Sequence, residues 1–85
     1  MDRKIKCKRP YRHFKGKLYY VHDIVKHTDT GEKLVSYQAL YPPYEMYVRP
    51  LEMFKEKVEK NREDNLTGQE YRFEIYAGND WQSIK

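Results

Sequence analysis

Three histidines and one cysteine are the side chains whose ordinary titration lies nearest neutral pH, and their spacing limits what they can do together. His22 and His27 fall on opposite faces of a strand, or about 140° apart on a helix, so no single regular element lets them chelate one ion. His13 could join them only through tertiary contact, and the lone Cys7 completes no zinc pattern. No metal or cofactor is expected. Acid–base or nucleophilic catalysis needs a histidine beside a carboxylate and a nucleophile. Asp23 and His27 share a strand face but stand about 13 Å apart by strand rise. Ser36 and Ser83 have no partners, and the chain has neither a nucleophile elbow nor a Gly-rich phosphate loop. No catalytic residue is assigned, and a small hydrolase using His13 or His27 stands as a third reading.

Binding chemistry is better supplied. Tyr11, His13, Tyr19, Tyr37, Tyr41, Tyr44 and Tyr47 interleave with Arg12, Lys15, Lys17 and Arg49, a mixture of flat π faces and cations that stacks bases and screens phosphates. Arg49 is the sharpest of these, set in Tyr47-Val48-Arg49-Pro50 between a β-favouring pair and a proline that ends the strand. There it is either a latch holding two elements together or the cation of a binding face. The candidate binding residues are Arg49, His13, Tyr44, Tyr47, Arg12 and Lys15. Against them stands the plainer reading that tyrosine is this chain's core material. Apolar residues make up 39%, below the usual ~45–50%, while nine of 85 residues are tyrosine, so tyrosine must build much of the core.

These side chains need elements to position them. From Arg9-Pro10 onward the chain divides into short extended segments, Tyr11 to Phe14, Leu18 to His27 and Lys33 to Tyr41, separated by the turns Lys15-Gly16-Lys17 and Asp29-Thr30-Gly31-Glu32. In the second segment Leu18, Tyr20, His22 and Ile24 share one face, and Tyr19, Val21, Asp23, Val25 and His27 the other. Pro42-Pro43 forces a loop, and Met46 to Arg49 reads as a fourth strand. Leu51, Phe54 and Val58 repeat at helical spacing behind Pro50, whereas Phe54, Glu56 and Val58 alternate; one helical turn over Pro50–Phe54 and then a strand is the expectation. Glu70 to Tyr76 alternates cleanly as the last strand. The fold class is therefore mainly β, a small antiparallel SH3-like barrel or roll of five to six strands with one short helical turn.

Residues 1–8 read as a basic flexible arm, 9–76 as a single β-rich domain, and 77–85 as a tail whose Trp81 caps the domain. Eight cations against Asp2 alone fill residues 1–17, whereas the remainder is mildly acidic, although the chain as a whole carries +4. Such an arm is a footprint for nucleic acid or another anion, or simply a solvated leader. No apolar run of about 18 residues crosses a membrane and no secretory leader is visible, so a cytoplasmic protein is expected.

The ordered set Tyr11-Arg12-His13-Phe14-Lys15-Gly16, Leu34-Val35 with Tyr37, Ala39-Leu40-Tyr41, Val48-Arg49-Pro50-Leu51 with Met53-Phe54, and Arg72-Phe73 resembles the small bacterial family known as domain of unknown function 1653. That family has a tryptophan where Tyr47 stands and a shorter loop than the one holding Pro42-Pro43. The resemblance implies a compact β-rich bacterial domain and brings no established activity. The first functional reading is a non-enzymatic binding module for nucleic acid or another anionic ligand. The alternative is a structural or protein–protein adaptor domain.

Overall fold

Alternating side chains and a left-handed glycine turn make the first half of the chain a meander. Gly16, at φ 102°, closes the first hairpin by donating its N–H to the His13 carbonyl at 2.8 Å, a backbone shape that a residue with a Cβ rarely adopts. The computed structural model describes residues 3–83. Its elements are β1 (Arg9–His13), β2 (Leu18–Lys26), β3 (Lys33–Ala39), β4 (Met46–Pro50), a single helical turn α1 (Leu51–Phe54), β5 (Phe73–Ile75) and a 3-10 turn at Asp80–Ser83. The strands form one antiparallel sheet in the order β4-β3-β2-β1-β5. The expected mainly β class and the helical turn after Pro50 are both present.

The sheet is open, with β4 and β5 as its edges, so closure into an SH3-like barrel does not occur among the described residues. The strand expected after Phe54 shrinks to one bridge between Lys57 and Tyr71. A polar loop takes its place. Asn65, buried, donates from Nδ2 to the carbonyls of Glu59 and Gln69, both at 2.9 Å, and accepts from Gly68 N–H at 3.0 Å. Buried Gln69 donates to the carbonyls of Arg12 (3.0 Å) and Tyr71 (3.1 Å), tying the loop to β1. Two side-chain amides thus satisfy backbone groups that a sixth strand would have paired.

One sheet face carries the core. Tyr11, Val21, Val35, Tyr37 and Phe73 point to it, and Phe54 of α1 and Ile5 of the entering segment cover them. Phe54 stacks on Phe73 with centroids 4.2 Å apart and planes 8° apart. β2 serves this face throughout its length by changing phase. Val21 pairs with Tyr37 and Asp23 with Ser36, so His22 is the extra residue of a bulge. Ile24, opposite Val35, consequently joins the face of Tyr19 and Val21 rather than that of Leu18 and Tyr20, which strict alternation had predicted.

Within residues 3–8, expected as part of a frayed arm, Ile5 is only 8% exposed and Lys8 donates to the Val21 carbonyl at 2.7 Å. Arg3 donates to the carbonyls of Lys55 and Phe73, with its guanidinium 4.1 Å from the Tyr71 ring centre. Ile5 supplies the apolar anchor within a run of cations, which explains the packing. Met1, Asp2, Ile84 and Lys85, the extremes of the expected arm and tail, lie outside the described residues. Trp81 rests on Tyr20 with ring centres 5.4 Å apart. No helix of the described residues is long and apolar enough to cross a membrane.

Candidate functional site

The core face is wider than its cover. Phe54 and Ile5 shield the middle of it; toward the end of the sheet where β1 turns and β4 begins, the same face opens into a cleft of about 240 Å³. His13, Tyr19, Tyr37, Tyr47, Arg49 and Phe73 line it, one or two from each of the five strands. Register brings them together. His13 pairs with Phe73, Tyr37 with Tyr47, and Val35 with Arg49, and residues directly opposite in a ladder project to one side. The rings form a continuous wall: His13 to Phe73 at 5.0 Å, Tyr19 to Phe73 at 5.8 Å, Tyr19 to Tyr37 at 5.6 Å, and Tyr37 to Tyr47 at 5.6 Å.

The polar groups of this cleft are donors. Arg49 gives its Nε–H to the Tyr37 hydroxyl at 3.3 Å and sits 5.9 Å from the Phe73 ring centre, and among the described residues no carboxylate pairs with it. Among the described residues its two terminal nitrogens have no hydrogen-bond partner. Tyr37, accepting from Arg49, keeps its own hydroxyl hydrogen to give. His13 accepts the Lys15 N–H on Nδ1 at 3.1 Å, so the neutral ring carries its hydrogen on Nε2. Burial, reinforced by the cations Arg72, Lys15 and Arg49 and opposed by Asp64, pushes the His13 imidazole down to about 4. Burial and the 2.6 Å hydrogen bond to the Tyr41 hydroxyl hold the Tyr19 phenol above the usual range.

Of the six candidates from the sequence, Arg49, His13 and Tyr47 meet in this cleft. Arg12 does not. Its position alternates to the other sheet face, where the guanidinium lies 5.0 Å from the Tyr76 ring centre. Lys15 stands at the first hairpin, 3.8 Å from Asp64 and close enough to contribute charge at His13. Tyr44 belongs to the Pro42-Pro43 loop, and its carbonyl accepts from Gln38 Nε2 at 3.0 Å. Tyr19 and Tyr37 belong to the interleaved aromatic series without being singled out, and Phe73 enters the sequence reading through the last strand and the family resemblance, not as a site residue. The missing signal was long-range register, since Phe73 reaches His13 across a ladder spanning most of the chain.

The other histidines have structural partners. His27 accepts the N–H of Asp29 at 3.1 Å and of Thr30 at 3.4 Å, closing the second hairpin. His22 meets Gln38 Oε1 at 2.9 Å. Among the described residues no cluster of three or more His, Cys, Asp or Glu side chains could hold a metal ion.

Comparison with known proteins places this architecture. Residues 9–75 match the model of a family described as protein of unknown function (DUF1653). A crystal structure of a protein belonging to DUF1653 from Bordetella bronchiseptica is similar at a TM-score of 0.67 and 29% sequence identity, covering 86% of this chain and 88% of that one. No curated protein matches.

Proposed function

The chain belongs to the DUF1653 family, and from that premise and the chemistry of the cleft we propose a non-enzymatic binding module whose ligand is an anion attached to a flat ring. One observation carries the reading. The cleft joins five aromatic rings to Arg49, His13 Nε2 and the Tyr37 hydroxyl, all able to donate, and no carboxylate lines it. Donors beside ring faces suit a group rich in acceptors next to a planar one, the combination a nucleotide offers. At about 240 Å³ the cleft is smaller than the ~300–1,000 Å³ of drug-sized sites, so it would take one nucleotide of a longer strand rather than a large free ligand. Lys15 and Arg72, whose charges reach His13, are its companion cations. The lone cysteine, Cys7, and the bacterial relative fit a module working in a reducing cytoplasm.

Short single-stranded oligonucleotides followed by fluorescence anisotropy test this. Binding should weaken steeply as salt rises. Tyr47→Ala, which removes an exposed stacking face, should cost about 1–3 kcal/mol, roughly five- to 150-fold in affinity. Arg49→Lys, which keeps the charge but loses the planar fork, should weaken binding while leaving the fold intact. Absence of saturable binding at low salt, or affinity indifferent to both substitutions, would sink the proposal.

The adaptor reading also has an observation in its favour. β4 is an edge strand with Met46 at 55% and Val48 at 63% exposure, a surface on which another chain could add a strand. Light scattering that shows a clean monomer at high concentration would remove its self-associating form.

A further inference from the structure

On the opposite sheet face lies a second recess of about 170 Å³, lined by Tyr20, His22, Gln38, Leu40 and Trp81. Three departures from regular structure meet at it. The β2 bulge inserts His22 beside Tyr20, and bulges commonly re-aim a side chain toward a site. Tyr44 adopts φ 60°, which is rare for a bulky residue, and in that turn its carbonyl faces Gln38. The 3-10 turn at Asp80–Ser83 is held by Tyr76, whose hydroxyl donates to Asp80 Oδ1 at 2.7 Å, and it lays Trp81 on Tyr20 with the ring planes 31° apart.

A hydrogen-bond relay then fixes the polarity of the recess. Gln38 gives its Nε2–H to the Tyr44 carbonyl at 3.0 Å, which leaves Oε1 as the acceptor facing His22. His22 Nε2, 2.9 Å from that oxygen, must therefore carry the hydrogen. In the neutral ring Nδ1 is left as an acceptor, and it has no partner among the described residues. Among the described residues no Lys, Arg, Asp or Glu lines the recess. It differs from the cleft in charge: aromatic and apolar walls with the neutral polar groups of Tyr20, His22, Gln38 and Trp81 instead of donors around a cation. Its size is that of a single ring, since a cavity of about 150 Å³ admits benzene.

We propose that this recess is a second binding site, for an uncharged aromatic ring bearing one O–H or N–H donor. The ring lies against Tyr20, Trp81 and Leu40, and its donor meets His22 Nδ1. The site does not depend on Arg49 or on the first proposal. A phenol is the simplest such ligand, either free or as the tyrosine of a polypeptide.

Trp81 is the chain's single tryptophan, so its emission reports this recess directly. The full chain is titrated with phenol, with methoxybenzene, which keeps the ring and loses the donor, and with N-acetyltyrosinamide. Phenol should give a saturable change, with affinity about three- to tenfold above methoxybenzene. His22→Phe should erase that preference. Saturation transfer from phenol ring protons to the Trp81 indole, in the unaltered protein, provides a second readout should the variant fail to fold. Tighter binding of phenol than of N-acetyltyrosinamide assigns the site to a free small molecule, and the reverse order to a polypeptide tyrosine. Equal affinity for phenol and methoxybenzene, or no saturable response to any probe, would overturn the proposal.

Discussion

His13 couples the cleft to the stability of the fold. In the unfolded chain its imidazole titrates near the usual value of about 6.5, and in the folded protein burial and nearby cations bring it down to about 4. Between those values the unfolded chain binds more protons, so stability must rise with pH through that window and fall as pH drops from about 6.5 to about 4. Thermal unfolding followed by circular dichroism should show the midpoint falling across that range, and His13→Gln should flatten the fall. Parallel profiles for the two proteins would remove His13 as the cause. The residue types alone pointed to His13, Tyr47 and Arg49 as candidates. Arg12, next to His13 in sequence, lies on the other side of the sheet against Tyr76.

At the scale of elements, α1 is held by what it covers. A four-residue turn has no stability of its own in water, and this one lacks a side-chain cap at its start. It persists because Phe54, fully buried, stacks on Phe73 and meets Tyr37 edge-on at 5.3 Å. Phe54→Ala should therefore cost about 3–5 kcal/mol, a large part of the ~5–15 kcal/mol typical of a domain. Urea unfolding measures it, and a loss under 1 kcal/mol would show that the turn is held otherwise. Pro50 and the spacing of Leu51 with Phe54 made this turn readable in the sequence. The bulge in β2 was not readable. It shows only in the register, Val21 opposite Tyr37 and Asp23 opposite Ser36, whereas the sequence places apolar residues on both faces of the strand. The missing sixth strand is unreadable for a similar reason, since Gln69 directs its amide inward onto the carbonyl of Arg12, 57 residues away in sequence.

For the whole molecule, the N-terminal segment acts as a strap across the core. Ile5 packs into it, and Arg3 joins the residue after α1 to β5 through two carbonyls far apart in sequence. Ile5→Ala should lose about 2 kcal/mol, which in a chain of this size lowers the melting temperature by roughly 8–16 °C. A solvated leader would give no change, so scanning calorimetry separates the two. The charge run concealed this role, because a lone isoleucine among lysines carries no periodicity from which packing could be read.

Tyr37 and Phe73 belong at once to the hydrophobic cluster and to the wall of the cleft. A ring entering that cleft would occupy the place of a core side chain that the chain does not encode, and its departure would leave the core one member short. If the cleft binds as proposed, recognition and folding draw on the same interior surface. Variation at these two positions would then not adjust ligand preference without also changing how firmly the sheet is held, and adaptation to a new ligand would fall mainly to Tyr47 and Arg49 on the edge strand.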